Sequence, residues 1–371
     1  MTSQASQPLL KCKRRTRYCD RRQQRGVALI TALLIVSLAT IMAVELVSRQ
    51  YMDVRRTTNI MTSDQAYLQA LTMEISAAHL LAYSRKELQS KFDDREQFTQ
   101  AVLGLNANAM KVAEGEAIVN LDLAFPETLF NVNSLIDGAG KVNRIQSERY
   151  RNLVSAVLLD INVSSPTADE LLASLQDWLD ANEEERLGGA EDGVYETKNP
   201  PYKAANRMMS SISELFLVEG YTPEILYGIP KDENDENSKP IPGILYYVTA
   251  LPDRGTNLNV NLLTERKMIK MFSTYITDTM IDEVLADQPY EDVGEFINHK
   301  AWDSIKKTDI QAWKKLKDAL KTGLTVQSRF FVAKSTATLG NSVFLLNSLV
   351  YVNPDGTKIE VISRAIGTNG I

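Results

Sequence analysis

Residues 25–36 read RGVALITALLIV and join a basic N-terminal segment to a long apolar run. Residues 1–26 hold eight Lys and Arg side chains against one acid, Asp20, so this leader carries a net charge of +7. No side chain from Val27 to Val44 is charged. A helix of this length spans about 27 Å, close to the roughly 30 Å hydrocarbon core of a bilayer. The pattern predicts one transmembrane segment, residues 27–46, with its basic side in the cytoplasm.

The chain continues past this apolar run without a helix-breaking residue, since residues 27–103 contain neither Gly nor Pro. Apolar side chains then recur at steps of three and four: Leu68, Leu71, Ile75, Ala78 and Leu81. This predicts one helix from Val27 to about Ser84 whose second half packs on another element. Two alternatives are a plain membrane anchor and a secretory signal cut near Ala39, which would release a secreted hydrolase.

Strand patterns lie on both sides of a long helical region. Residues 116–123 alternate between apolar and polar, and residues 326–338, 342–352 and 358–365 are rich in β-branched and aromatic side chains joined by turn signals. The fold class predicted is α+β, with a long helix laid on an antiparallel sheet. Helical spacing between the strands predicts further helices at Glu148–Asp160, Thr167–Ala181, Ser211–Glu219, Thr264–Leu285 and Ile305–Thr322. Ser211 and Glu214 have the spacing of a capping box.

Composition argues against several classes of function. Beyond residue 26 the chain has 33 basic and 46 acidic residues, a net charge of −13, which disfavours nucleic acid and suits a divalent cation. Both cysteines, Cys12 and Cys19, lie in the leader, so no disulfide is expected in the rest. The two histidines, His79 and His299, are far apart, and no catalytic triad or phosphate-binding loop is recognisable. We therefore expect a protein that is not an enzyme.

A weak internal repeat relates FNVNSL at residues 130–135 to LNVNLL at residues 258–263. Asn side chains accept hydrogen bonds from backbone amides, so each pair is expected to cap the following helix and tie its turn. Helix-hairpin-helix modules that bind nucleic acid use similar units, and a membrane-tethered nucleic-acid or peptide-binding module is an alternative function. The acidic balance favours a structural repeat.

The densest cluster of acidic residues is DWLDANEEERLGGAEDGVY at residues 177–195. Asp180, Asn182 and Glu184 alternate along the chain, Gly188 and Gly189 allow a turn, and two more acids follow. Calcium takes six to eight oxygen ligands, so the stretch is a candidate calcium site, although it lacks the spacing of an EF-hand. A solvated acidic helix end is the alternative structural interpretation, and paired carboxylates for glycoside hydrolysis are a chemical one.

Several of these motifs occur together in one family. Residues 25–29, RGVAL, resemble a prepilin peptidase site, and DWLD, GGAED, PYKAAN, SEL and VTALP follow, with NVN after them. The chain resembles the type II secretion system minor pseudopilin K family, also called general secretion pathway protein K, along nearly its whole length. A minor pilin of a type IV pilus is the alternative within the pilin class.

The resemblance implies a pilin-like fold with a large helical domain inserted between its strands. It implies a cleaved leader (1–26), a discontinuous pilin-like domain (27–125 and 323–371) and an inserted domain (126–322). It also implies a single-pass protein of the bacterial inner membrane with its body in the periplasm. The implied partners are pseudopilins I, J and H, prepilin peptidase, the inner-membrane secretion platform and exoprotein substrates, and nucleic acid is not among them. With those pseudopilins the chain would cap the pseudopilus and drive the export of folded proteins.

The resemblance also implies roles for individual residues. Cleavage would fall between Gly26 and Val27, leaving Val27 as an N-methylated terminus. Thr31 stands at the fifth processed position, where most pilins carry Glu, and its lack of charge implies a place at the leading end of the filament. Calcium is the implied cofactor, and the implied ligands are Asp180, Glu184, Glu191 and Asp192, followed by Asn182 and Asp177.

Overall fold

The computed structural model describes residues 24–91, 112–114, 117–232, 234–235, 237–255, 257–340 and 342–367. The leader up to residue 23, with Cys12 and Cys19, therefore lies outside the described residues, as does Glu116 at the start of a predicted strand. The described residues divide into two compact units, of which the first ends at Met61 and the second begins at Thr62.

The described residues contain helices, strands and short 3-10 helices. The α-helices are α1 (Gln24–Lys91), α2 (Arg144–Asp160), α3 (Ala168–Leu179), α4 (Asp192–Tyr195), α5 (Pro223–Tyr227), α6 (Arg266–Lys270), α7 (Asp278–Ala286), α8 (Val293–Ile297), α9 (Asp303–Thr308) and α10 (Ile310–Leu320). The strands are β1 (Val112–Glu114), β2 (Ala117–Ala124), β3 (Phe130–Asn131), β4 (Gly228–Ile229), β5 (Ile241–Pro242), β6 (Val248–Thr249), β7 (Leu258–Asn259), β8 (Leu324–Thr325), β9 (Phe330–Leu339), β10 (Ser342–Val352) and β11 (Ile359–Ile366). The 3-10 helices are Pro126–Thr128, Val132–Leu135, Ile212–Leu217, Ile244–Tyr246 and Lys300–Trp302.

The first unit contains the apolar part of α1. Its side chains from Val27 onward are exposed, including the large aliphatic ones. A helix that is apolar on all sides and exposed suits a lipid environment better than water. By length and composition this segment could cross a membrane once.

The second unit is built on an antiparallel sheet of five strands in the order β1-β2-β9-β10-β11. The chain leaves this sheet after Ala124 and returns to it at Phe330. Helices α2 to α10 lie between these two points of the sequence. The α+β fold, with a helical region inserted between strands, is therefore confirmed.

The second half of α1 packs on this sheet through one face. Ala66, Ala70 and Ala77 are fully buried, the first two in an apolar cluster with Val119 and the third in a cluster with Leu121. Their spacing of four and seven keeps them on one side of a 3.6-residue helix. Because alanine has the smallest apolar side chain of the helix formers, the helix can approach the sheet closely.

One buried charge interrupts this apolar face. The carboxylate of Glu74, which is only 2% exposed, accepts hydrogen bonds from Arg364 Nε and Nη2 at 2.7 Å each and from the Ser348 hydroxyl. Burial alone would raise the pKa of Glu74, but the bonds from Arg364 and Ser348 outweigh it and leave this pKa below its usual value. Glu74 therefore joins α1 to β10 and β11 by a satisfied ion pair.

Replacing Arg364 with alanine is expected to lower the free energy of unfolding by about 2–3 kcal/mol near neutral pH, because it leaves the Glu74 carboxylate buried without its cation. The figure is below that of a fully buried pair because Arg364 is half-exposed. Because the pKa of Glu74 is lowered in the folded state, the loss should shrink as the pH falls through that pKa. Urea unfolding of the detergent-solubilised chain measures it. The matched control is Lys358→Ala, which breaks an exposed pair with Glu360; an equal effect of both would contradict the prediction.

Three predicted helices differ from the structure, two of them because a polar side chain caps a new helix within the predicted segment. The helix predicted over residues 264–285 is wrong as a single element, since Thr277 accepts from the Met280 amide and starts α7. Asp309 likewise accepts from two amides and starts α10, dividing the segment predicted at residues 305–322. Residues 212–217 form a 3-10 helix, and Ser211 accepts from Ser213 instead of closing the predicted capping box.

Candidate functional site

The acidic stretch begins at the end of α3, a helix whose N-terminus is capped and which has a strongly apolar face. Thr167 and Glu170 form a reciprocal capping box at its N-terminus. Leu171, Leu175 and Trp178 are buried in the main core at helical spacing. Since this face is fixed in the core, the last turn of α3 carries Asp177 into the protein interior and not into solvent.

Asp177 organises the loop that follows the helix. Its side chain is completely buried, and its Oδ2 atom accepts from the backbone amides of Arg186 at 3.2 Å and Ala190 at 3.0 Å. Its Oδ1 atom accepts from the guanidinium of Arg186. One carboxylate thus fixes residues 186–190 against the helix end by three hydrogen bonds, two of them to the backbone.

Two glycines allow this close approach. A Cβ atom on Gly189 would lie 1.9 Å from Asp177 Oδ2, so no side chain fits there without a shift of that carboxylate. Gly188 has a φ of +76°, a conformation that side chains other than glycine adopt at a cost. Gly189 is therefore required by Asp177, and Gly188 by the backbone conformation of the turn.

Arg186 pairs with a second buried carboxylate. Its Nη2 atom lies 2.6 Å from Oδ2 of Asp180, which is 2% exposed and follows the last residue of α3. The guanidinium therefore bridges Asp177 and Asp180, while the Arg186 side chain remains 27% exposed. In the sequence, Arg186 is only one residue of a charge run, and nothing there indicates this role.

Glu191 is the third buried carboxylate of the loop. It is 4% exposed, and neither of its carboxylate oxygens has a hydrogen-bond partner. Burial, together with the negative charges of Asp177, Asp180 and Asp192, raises its pKa to about 7. A buried carboxylate without donors is costly, so this group is either protonated or needs a cation.

The other predicted ligands do not join these three. The Asp192 carboxylate accepts from Lys203 Nζ at 2.6 Å and from the Ala204 amide at 2.9 Å; the hydrogen bond from Lys203 lowers its pKa. Asn182 and Glu184 are exposed, and the Asn182 side chain accepts from the Glu184 amide. Among the residues the structure describes, no three His, Cys, Asp or Glu side chains already converge as a metal site.

Aromatic side chains support the loop from the core side. The ring centroids of Trp178 and Tyr195 lie 5.2 Å apart, and those of Tyr195 and Tyr202 lie 5.3 Å apart. Tyr195 is fully buried and its hydroxyl accepts from the Glu219 amide. Both ends of the acidic loop are thus anchored in the core, and its exposed residues, 181–185 and 187–188, lie between them.

Replacing Glu191 with glutamine is expected to stabilise the chain in EDTA by about 1–2 kcal/mol at about pH 8. A carboxyl whose pKa is raised on folding contributes stability below its unfolded pKa and loses it as the pH rises through the folded pKa, here about 7. Glutamine imitates the protonated form, so the gain should vanish near pH 4. Urea unfolding in EDTA at both pH values measures it, with the exposed Glu183→Gln as the control. A gain at low pH, or an equal gain in the control, would contradict this account of Glu191.

At the other candidate site, Gly26 and Val27 lie in the first turn of α1, which begins at Gln24. The Thr31 hydroxyl donates to the carbonyl oxygens of Val27 and Ala28, at 3.0 Å in each case. Because this polar group is satisfied inside its own helix, it needs no partner in an apolar environment.

The Asn repeat is a pair of structural ties. Asn131 caps the 3-10 helix that follows it, as predicted. Asn133 accepts from the Met209 amide and donates to the Met209 carbonyl, and Asn261 does the same with Tyr290. The second Asn of each pair therefore recognises both backbone groups of one distant residue, a role that spacing alone does not reveal.

Comparisons with known proteins agree with this architecture. A family model described as type II secretion system (T2SS), protein K, matches residues 128–229, which include the whole acidic loop. Type II secretion system protein K of Pectobacterium carotovorum subsp. carotovorum is 26% identical over 361 residues, covering 94% of this chain and 98% of the relative. The protein of the same name from Pseudomonas aeruginosa is 28% identical over 359 residues and covers 95% of each chain.

The fold is also found in a solved structure, the crystal structure of the GspK-GspI-GspJ complex from the enterotoxigenic Escherichia coli type 2 secretion system. One of its chains matches with a TM-score of 0.62 at 20% identity, covering 82% of this chain and 98% of that one. The family model and the relatives that align along nearly their full length thus show similarity to type II secretion system protein K, and the solved structure shows the same fold.

Proposed function

We propose that this chain is the minor pseudopilin that caps the tip of the periplasmic pseudopilus of a type II secretion system. It acts with pseudopilins I and J, and with H beneath them, to drive the export of folded proteins across the outer membrane. The observation that carries the proposal is the match to type II secretion system protein K relatives along 94–95% of this chain. The chain is a structural subunit in this proposal, not an enzyme.

The position at the tip is supported by the bulk of the inserted region. Residues 125–329 lie between β2 and β9, outside the five-stranded sheet that forms the pilin-like body. A domain of that size would obstruct subunits packed helically along a shaft, whereas the end of a filament leaves it room. Thr31 supports the same position, because its satisfied hydroxyl does not require the terminal amine of a subunit ahead of it.

The membrane assignment rests on α1. Its apolar segment is long enough for one crossing, and the basic leader before it favours a cytoplasmic N-terminus. Cleavage by prepilin peptidase between Gly26 and Val27 would leave a methylated Val27 at the start of this helix. The body would then lie in the periplasm of a cell whose inner membrane holds the secretion platform.

Calcium is the cofactor that the acidic loop suits best. Asp177, Asp180 and Glu191 supply buried carboxylate oxygens, and both oxygens of Glu191 lack a partner. Calcium prefers such hard oxygen ligands and accepts irregular geometry. Asp180 and Glu191 would hold the ion, exposed Asn182 and Glu184 could add oxygens from the loop, and Asp192 would first have to leave Lys203. The bound ion would supply positive charge that keeps the loop compact.

Two measurements on the expressed full chain test the proposal. N-terminal sequencing of the membrane-extracted protein should begin at Val27, and a start near Thr40 would favour the secretory signal instead. Mixing the detergent-solubilised chain with pseudopilins I and J should give one ternary complex by size-exclusion chromatography with light scattering. A chain that is processed at Val27 but forms no complex would contradict the tip assignment and retain the pilin class.

A further inference from the structure

We propose that Arg186 is a resident counter-ion of the acidic loop, and that a divalent cation binds there by displacing its guanidinium from Asp177 and Asp180. The inference rests on the calcium site of the proposed function and deepens it. It names the residue of this chain that competes with the ion.

The guanidinium lies where a cation would have to bind. Its two terminal nitrogens face Oδ1 of Asp177 and Oδ2 of Asp180, the latter at 2.6 Å. The other oxygens of both carboxylates already accept backbone amides within the loop. The oxygens that face the guanidinium are therefore the ones a metal ion would use. Calcium must approach to about 2.3–2.6 Å, which excludes a guanidinium from the same lone pairs.

Charge balance favours the exchange. The three buried carboxylates of Asp177, Asp180 and Glu191 are matched by a single guanidinium, and Glu191 has no hydrogen-bond donor at all. When all three acids are ionised, the cluster and Arg186 together therefore keep a net charge of −2. A divalent ion brings twice the charge of Arg186 to one point and can also bind Glu191 directly.

Arg186 can leave without unfolding the loop. Its side chain is 27% exposed, and it extends from the exposed stretch of residues 181–188, where Leu187 is fully exposed. The Arg186 amide donates to Asp177 Oδ2 independently of the guanidinium, so the backbone contact survives displacement. Once released, the guanidinium enters solvent beside the exposed acids Glu183 and Glu185, where ion pairs contribute little.

The test compares calcium affinities of the full chain in detergent after EDTA treatment, by isothermal titration calorimetry with calcium chloride. Arg186→Gln should bind calcium about tenfold more tightly than the unmodified chain, because the competing charge-assisted hydrogen bonds are gone. Arg186→Lys should be intermediate, since one ammonium cannot bridge both carboxylates as a planar fork does. The matched control is Arg151→Gln, which removes an exposed arginine–aspartate pair beside α3 and should leave the affinity unchanged.

Unfolding in EDTA and in calcium provides a second measurement that does not depend on the affinities. Arg186→Gln should be destabilised in EDTA and recover in calcium by more than the unmodified chain does. If both Arg186 variants bind calcium as tightly as the unmodified chain or more weakly, the proposed displacement is wrong, but the calcium site is still supported. Absence of binding in every variant would overturn the calcium site and the displacement together, whereas binding by Arg186→Gln alone supports both.

Discussion

Replacing Asp177 with alanine is expected to lower the free energy of unfolding by about 3–4 kcal/mol. The substitution removes the acceptor of two backbone amides, those of Arg186 and Ala190, and leaves a buried amide without a partner. It also leaves the Arg186 guanidinium paired with Asp180 alone. A lost acceptor in a buried site costs more than the hydrogen bond itself contributes, because the donors cannot return to water.

Urea unfolding of the detergent-solubilised chain, followed by tryptophan fluorescence, measures this loss. The matched control is Glu183→Ala, an exposed acid six residues further on, which should change stability by less than about 0.5 kcal/mol. Gly189→Ala tests the same contact from the opposite side, because the added Cβ would lie 1.9 Å from the Asp177 carboxylate. If both Asp177→Ala and Gly189→Ala unfold like the control, the loop does not depend on Asp177.

The sequence predicts the pilin-like body well because its elements carry strong periodic patterns. The long helix was expected from Val27 to about Ser84 and is observed from Gln24 to Lys91. The strand expected at residues 342–352 has those bounds in the structure. Wherever one face of a helix or a strand is buried, apolar residues recur along the sequence with a period of 3.6 or 2. These elements can therefore be recognised without knowledge of the elements they pack against. The breaks at Thr277 and Asp309 were missed because a side-chain cap inside an apolar pattern leaves that pattern unchanged.

The acidic loop was located from sequence, but its internal arrangement was not. Asp177 and Asp180 are buried because they end a helix that is enclosed on all sides from Leu171 to Leu179, whereas Glu183 and Glu184 are exposed. Both kinds of carboxylate look the same in a charge run, since burial depends on tertiary packing. The role of Arg186 is hidden in the sequence for the same reason. Its only signal there is a single arginine between three consecutive acids and a Gly-Gly turn.

Replacing Asn133 with alanine is expected to lower the free energy of unfolding by about 3–4 kcal/mol. Asn133 is 1% exposed and donates to the carbonyls of Met209 at 3.0 Å and Leu251 at 2.9 Å, while accepting from the Met209 amide at 2.8 Å. Alanine leaves three buried backbone groups without this partner, and no water can replace it in a packed core. The change would also separate the 3-10 helix at residues 132–135 from segments 76 and 118 positions away in sequence.

The second repeat unit offers an internal comparison. Asn261 makes the matching pair of bonds to Tyr290 but is only partly buried, so Asn261→Ala should cost less, about 1.5–2.5 kcal/mol. Asn182→Ala removes one local bond from an exposed side chain and is the near-neutral control in urea unfolding. This order of effects also separates the two interpretations of the repeat. If the repeat is a nucleic-acid or peptide-binding module, loss of its Asn side chains should weaken ligand binding and leave the free energy of unfolding unchanged. If each Asn is a structural tie, its loss should lower the free energy of unfolding, and more so the more deeply that Asn is buried. If Asn133→Ala unfolds at the same urea concentration as Asn182→Ala, the structural interpretation of the repeat is wrong.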